Sequence, residues 1–238
     1  MTRAAAFVSL TLLAGLFISE ALAVEIFARD LAGFEAAAGP MAVQDFEGIP
    51  PGTDITDSVI SGLHFGNADG APLIVVLAEE TYSSGVGGPE HRLIATTPVN
   101  VLSPGGEELP FEGPMQNDDL VLTFSPPVDA FGLDFLWQSA DYNPSTSIVV
   151  YDEEGLPLFN GIPEITDLGG AGAPAGTDFW GIVSLSQPIA SVHIDEQDDG
   201  DAYPDSNIGF DTIRVSFSTD VPELSEYQSW STIKALYQ

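Results

Sequence analysis

Cysteine is absent from the 238 residues, which excludes a disulfide framework, a thiolate metal site and a cysteine nucleophile. Basic side chains are scarce. Five Lys and Arg stand against 36 Asp and Glu, a formal net charge of −31. A surface this anionic repels phosphates, so nucleic acid and acidic lipid headgroups are poor partners for it. It suits a polycation, a metal ion or a salty medium that screens self-repulsion. The three histidines, His64, His91 and His193, lack the i, i+4 spacing of a helical zinc motif. A G-x-S-x-G nucleophile elbow is also missing. Helical periodicity is rare throughout.

What is abundant is apolar: hydrophobic residues make up 44% of the chain, too many for a disordered acidic polymer, so a packed core is expected. At the N-terminus, Arg3 precedes an apolar run from Ala4 to Ile18, and Ala21-Leu22-Ala23 supplies a small-x-small cleavage pattern. This predicts a signal peptide over residues 1–23 and an exported chain starting at Val24. The run is shorter than a typical membrane span, which argues against an anchor.

Val24 to Phe27 suits a short strand. Asp30 to Pro40 reads as the single helix, with Asp30 as N-cap, Leu31 and Phe34 on one face and Gly39-Pro40 as the stop. Thereafter short apolar runs alternate with Gly, Pro, Asn and Asp clusters, the rhythm of a sandwich or barrel. The expected strands are Met41–Phe46, Gly62–Phe65, Pro72–Ala78, Arg92–Thr96, Leu120–Phe124, Ala130–Trp137, Thr146–Tyr151, Leu156–Asn160, Trp180–Leu185, Ile189–Ile194 and Ile208–Phe217. Asp152-Glu153-Glu154-Gly155 reads as a hairpin turn, and Ser125-Pro126-Pro127 is expected to break pairing. Thr97–Asp118 and Pro163–Thr177 read as long surface loops. The fold expected is all-β: one jelly-roll or Greek-key β-sandwich over residues 24–219 with one short N-terminal helix and a tail over 220–238.

The chemistry concentrates between Ser191 and Phe217. Asp195, Glu196, Asp198, Asp199 and Asp201 put five carboxylates into seven residues with no basic neighbour. Hard divalent cations take six to eight oxygens, and Asp195, Asp199 and Asp201 suit calcium; the alternative is a solvated acidic loop. A helix-loop-helix calcium hand is rejected, because Ser206 stands where its bidentate Glu is needed. Downstream, Ile208–Phe217 alternates as a half-buried strand. Asp211 interrupts it, and a buried carboxylate needs a partner.

Several motifs, in order, resemble exported bacterial proteins of the PEP-CTERM type. They are Asp45-Phe46-Glu47-Gly48-Ile49-Pro50-Pro51-Gly52-Thr53, Gly62-Leu63-His64-Phe65, Val128–Phe135, Ile148–Gly155, Phe179–Ser184, Ile189–Val192 and Ile208–Ile213. The resemblance implies a jelly-roll similar to carbohydrate-binding modules. It also implies a structural calcium joining Glu47 to Asp211; the alternative is two carboxylates capping backbone N–H groups. The family's V-P-E-P tail is met only by Val221-Pro222-Glu223, with Leu224 in the last place. Ser225 to Gln238 holds no membrane-spanning run, so release rather than a stable membrane anchor is expected.

Sugar binding needs aromatic faces beside amides or acids, and Trp137, Gln138, Tyr142 and Asn143 offer that mixture where a strand enters a loop. The competing and favoured reading of Trp137 is a core or sheet-edge residue, because aromatics stabilise β faces generally. The E-x-D-x-x-E strand motif of laminarinase-like sandwiches is incomplete, with Asp201 where its closing Glu belongs. The expectation is thus a secreted, non-catalytic, calcium-stabilised module whose partner is an extracellular polysaccharide or matrix component. A polysaccharide-active hydrolase or lyase is the alternative.

Overall fold

The computed structural model describes residues 23–68, 70–78, 93–104, 119–137, 146–163, 176–196 and 208–217. The expected leader up to residue 22 and the tail lie outside the described residues. Within them run β1 (Val24–Ala28), α1 (Leu31–Ala38), β2 (Ala42–Gln44), β3 (Thr53–Asp54), β4 (Val59–Ile60), β5 (Leu63–Gly66), β6 (Leu73–Leu77), β7 (Asn100–Pro104), β8 (Leu120–Trp137), β9 (Thr146–Asp152), β10 (Pro157–Gly161), β11 (Gly176–Ser184), β12 (Ile189–Glu196) and β13 (Ile208–Phe217). The fold is all-β and sandwich-like, with one helix among the described residues. Among the described residues no helix is long and apolar enough to cross a membrane.

The strand β8 belongs to both layers. Its first half pairs with β12 and β5, its second half with β11 and β13, all antiparallel. One layer continues through β12 to β9 and β10; the other carries β1, β11, β13, β2 and the β7-β6-β3 series. The prolines expected to break pairing sit where β8 changes partners. Its ladder with β12 skips from Thr123 to Val128 while the strand itself runs on, so the interruption is a bulge and not a strand end.

Strand alternation fills the space between the layers. Phe65, Leu122, Ile148 and Val192 face Phe131, Phe135, Trp180 and Phe210 in one continuous core, all fully buried. Phe159 of β10 meets Trp180 of β11 at 5.5 Å between ring centroids, which ties the two faces together. Each such side chain stabilises the fold by about 1.5–3 kcal/mol relative to exposure. On the outer face of the second layer, Phe34 of α1 packs with Ala130, Phe179 and Val183. The expected cap holds: the Asp30 side chain accepts from the Gly33 N–H at 2.9 Å, and Gly39 ends the helix.

Two expectations fail here. The half-buried reading of Ile208–Phe217 is wrong, since Ile208 to Ser216 are all buried. Its polar face is covered too: the Ser216 hydroxyl bonds the carbonyls of Ala38 and Pro40 behind α1, and Arg214 is held by Asp134. The strand expected at Arg92–Thr96 is absent over its described part, residues 93–96. The strand lies at Asn100–Pro104 instead, inside what reads as a loop. Thr96-Thr97-Pro98-Val99 spends its N–H groups on side chains, and Pro98 has none to give.

Candidate functional site

Among the described residues, buried polar and charged side chains gather where β13 is irregular. Between Asp211 and Arg214 the register against β8 slips by one residue, and Thr212 takes φ +40°, rare for a β-branched residue. Phe210 belongs to the core before this bulge, and Ile213 and Val215 after it. The extra residue leaves Asp211 and Thr212 together on the opposite side. There Asp211 stands in register with Asp134, two like charges on neighbouring strands. That pairing is unfavourable unless donors compensate.

The donors are Thr96 and Thr97 of the 96–100 segment, together with Thr212 and Arg214 of β13. Asp211 Oδ2 accepts the N–H groups of Thr96 and Thr97 at 2.8 and 2.9 Å. Its Oδ1 accepts the Thr212 N–H at 2.7 Å and the Thr97 hydroxyl at 2.9 Å. Asp134 Oδ2 takes the Thr96 hydroxyl at 2.7 Å, and Arg214 grips both Asp134 oxygens at 3.1 and 3.2 Å. Beside this set, burial pushes the Asp178 carboxyl up, the Phe179 N–H and Arg29 oppose it, and Asp134 adds to the rise.

Glu47 reaches the same segment from the other side. Phe46 adopts φ +61°, which sends its ring into the core and turns the chain sharply. Glu47 Oε1 then accepts the Val99 and Asn100 N–H groups at 3.0 and 2.8 Å, with the Thr97 hydroxyl 3.4 Å away. Glu47 and Asp211 therefore meet on one five-residue segment. The Asn100 amide group closes it by donating to the carbonyls of Phe46 and Ile49.

Calcium would need lone pairs from these oxygens. A carboxylate has about four lone-pair positions. Around Asp211 all four face N–H or O–H hydrogens, and those hydrogens repel a cation. Among the described residues no group of three or more acidic or histidine side chains is placed to hold a metal. The donor set at Asp211 does not fit a calcium ion.

The other expected residues lie elsewhere. Asp195 sits on β12 opposite Ser147 and is half-buried; Asp199 and Asp201 lie outside the described residues. Trp137 is the last residue of β8, with Gly176 and Ile208 as its strand partners. Gln138, Tyr142 and Asn143 lie outside the described residues. Thr96, Thr97, Asn100, Asp134 and Arg214 were not singled out from sequence as members of one network. Asp134 and Arg214 carried a signal, since each is a charge set in a largely apolar strand. A scan against protein-family models matches no family, and a search of curated proteins returns no match.

Proposed function

We propose that the chain is an exported, non-catalytic β-sandwich module that binds carbohydrate or takes a place in an extracellular matrix. The observation that carries this reading is how four carboxylates of the described residues are spent. Asp211, Glu47 and Asp152 accept backbone N–H groups, and Asp134 holds Arg214. A glycosidase needs two carboxylates roughly 5–10 Å apart that face a sugar. Carboxylates committed to holding strands and turns favour a binding module over the hydrolase or lyase.

The binding half of the proposal rests on Trp137. It closes a strand at the point where the chain moves into Gln138, Tyr142 and Asn143. An aromatic plane beside amide and hydroxyl groups is the chemistry that stacks on a pyranose and bonds its hydroxyls. The net charge of −31 turns the module away from polyuronates unless a cation bridges them. Calcium in this reading belongs to Asp195, Asp199 and Asp201. The leader pattern and the PEP-CTERM-like motif order support export.

A glycan array tests it. The expected result is a set of hits that Trp137→Ala and Tyr142→Ala abolish while thermal unfolding stays unchanged. Release of reducing sugar or unsaturated product from a hit polysaccharide would sink the non-catalytic reading. An empty array removes carbohydrate and leaves the matrix role.

A further inference from the structure

We infer that Glu47 and Asp211 form a metal-free clasp whose ligand is the chain itself. The backbone N–H groups of residues 96–100 take the place that an ion would hold between the two carboxylates.

The accounting is complete along the segment. Thr96 and Thr97 give their N–H groups to Asp211, and Val99 and Asn100 give theirs to Glu47. Pro98, between them, has no N–H to satisfy. Each pair of successive N–H groups is aimed at one carboxylate, and the positive ends of the peptide dipoles supply there what a cation would. At Asp211, fully buried, these charge-assisted bonds act in a low dielectric and are strengthened by it.

Two further contacts hold the segment and the residue run before it against β13 and β8. Leu93 lies so close over Gly209 that a Cβ there would meet Leu93 Cδ1 at 2.5 Å. The Thr96 hydroxyl ties the segment to Asp134. Seating a calcium ion between the carboxylates would require residues 96–100 to turn away, losing four N–H bonds and leaving those donors unpaired. The clasp stands whether or not the module binds carbohydrate.

Amide hydrogen exchange on the full chain tests it, once in EDTA and once in millimolar calcium chloride. The amides of Thr96, Thr97, Val99 and Asn100 are expected to exchange at least ~100-fold slower than in a free chain in EDTA. Added calcium should change those rates by less than about twofold. Fast exchange in EDTA that slows only with calcium overturns the clasp. A second measurement uses variants. Asp211→Asn turns an NH2 group toward N–H donors, and should speed exchange at Thr96 and Thr97 by ~10-fold or more in both media. If that variant does not fold, Glu47→Gln reads out at Val99 and Asn100. A calcium-induced rise in Tm that survives both substitutions places the ion elsewhere and supports the clasp. A rise that either substitution erases sinks it.

Discussion

Gly132 and Gly181 are strand partners across β8 and β11, and neither position has room for a side chain. A Cβ on Gly132 would lie 2.9 Å from Phe179 and 3.0 Å from Phe34; on Gly181 it would lie 2.7 and 2.8 Å from the same two rings. The paired glycines open a window in the sheet, and the two phenyl rings, 5.1 Å apart, fill it. A short helix with one buried residue thereby gains a defined seat. Isolated helices of this length are unstable in water, so the seat is what keeps α1 folded.

Gly132→Ala is accordingly expected to destabilise the protein by roughly 1–3 kcal/mol through overpacking, although alanine suits a strand better than glycine. Phe34→Ala should cost about 3–5 kcal/mol by leaving the window empty. Urea unfolding followed by circular dichroism measures both, as a lowered midpoint at unchanged slope. An unshifted midpoint in Gly132→Ala would show that the rings do not rest on the glycines.

What was legible beforehand divides along a physical line. Local signals survived: Asp30 and Gly39-Pro40 bound the helix because caps depend on neighbours in sequence. Asp152 drew the turn that its side chain stabilises, accepting the N–H groups of Glu154 and Leu156. Asp211 stood out as a charge in an apolar strand. Its partners Thr96 and Thr97 did not, because they lie more than a hundred residues away in a segment with no period of its own. The bulge at Thr212 was also hidden. Alternation read across it gives a half-buried strand, whereas one face lies in the core and the other is covered by α1 and by the segment that leads into β7. Long-range cover is set by tertiary packing, which a two-residue period does not encode.

Arg214→Met separates charge from packing on that covered face. The guanidinium is nearly buried, forks onto Asp134, donates to the Thr212 carbonyl at 2.8 Å and lies 5.5 Å from the Phe179 ring centroid. Methionine keeps the stem but takes the guanidinium from Asp134, which retains the Thr96 hydroxyl, and from the Thr212 carbonyl, which should cost about 3–5 kcal/mol. Replacing both partners, Arg214→Met with Asp134→Leu, should recover a large part of that loss, since no buried charge is then left alone. Denaturant unfolding of the two singles and the double gives the coupling. Strictly additive losses would mean that the pair does not interact.

His193 gives the pH prediction. On β12 it stands between Val149 of β9 and Val121 of β8, with the Tyr151 ring edge-on at 5.0 Å. Burial among these neighbours pushes the imidazole below its ordinary value of 6.5. The unfolded chain then binds the proton first. The resulting stability is complete above pH 6.5 and is lost as pH falls from there through the lower, folded value. His193→Phe keeps the edge contact with Tyr151 and removes the titration. Titration of the many carboxylates and of the other two histidines is common to both proteins. The informative quantity is therefore the difference in unfolding free energy between wild type and variant from pH 8 to pH 5. It should be flat above neutrality, and the wild type should lose ground below pH 6.5. A difference that stays constant over the whole range would mean that His193 titrates alike in the folded and unfolded chains, and that the valines do not dry it.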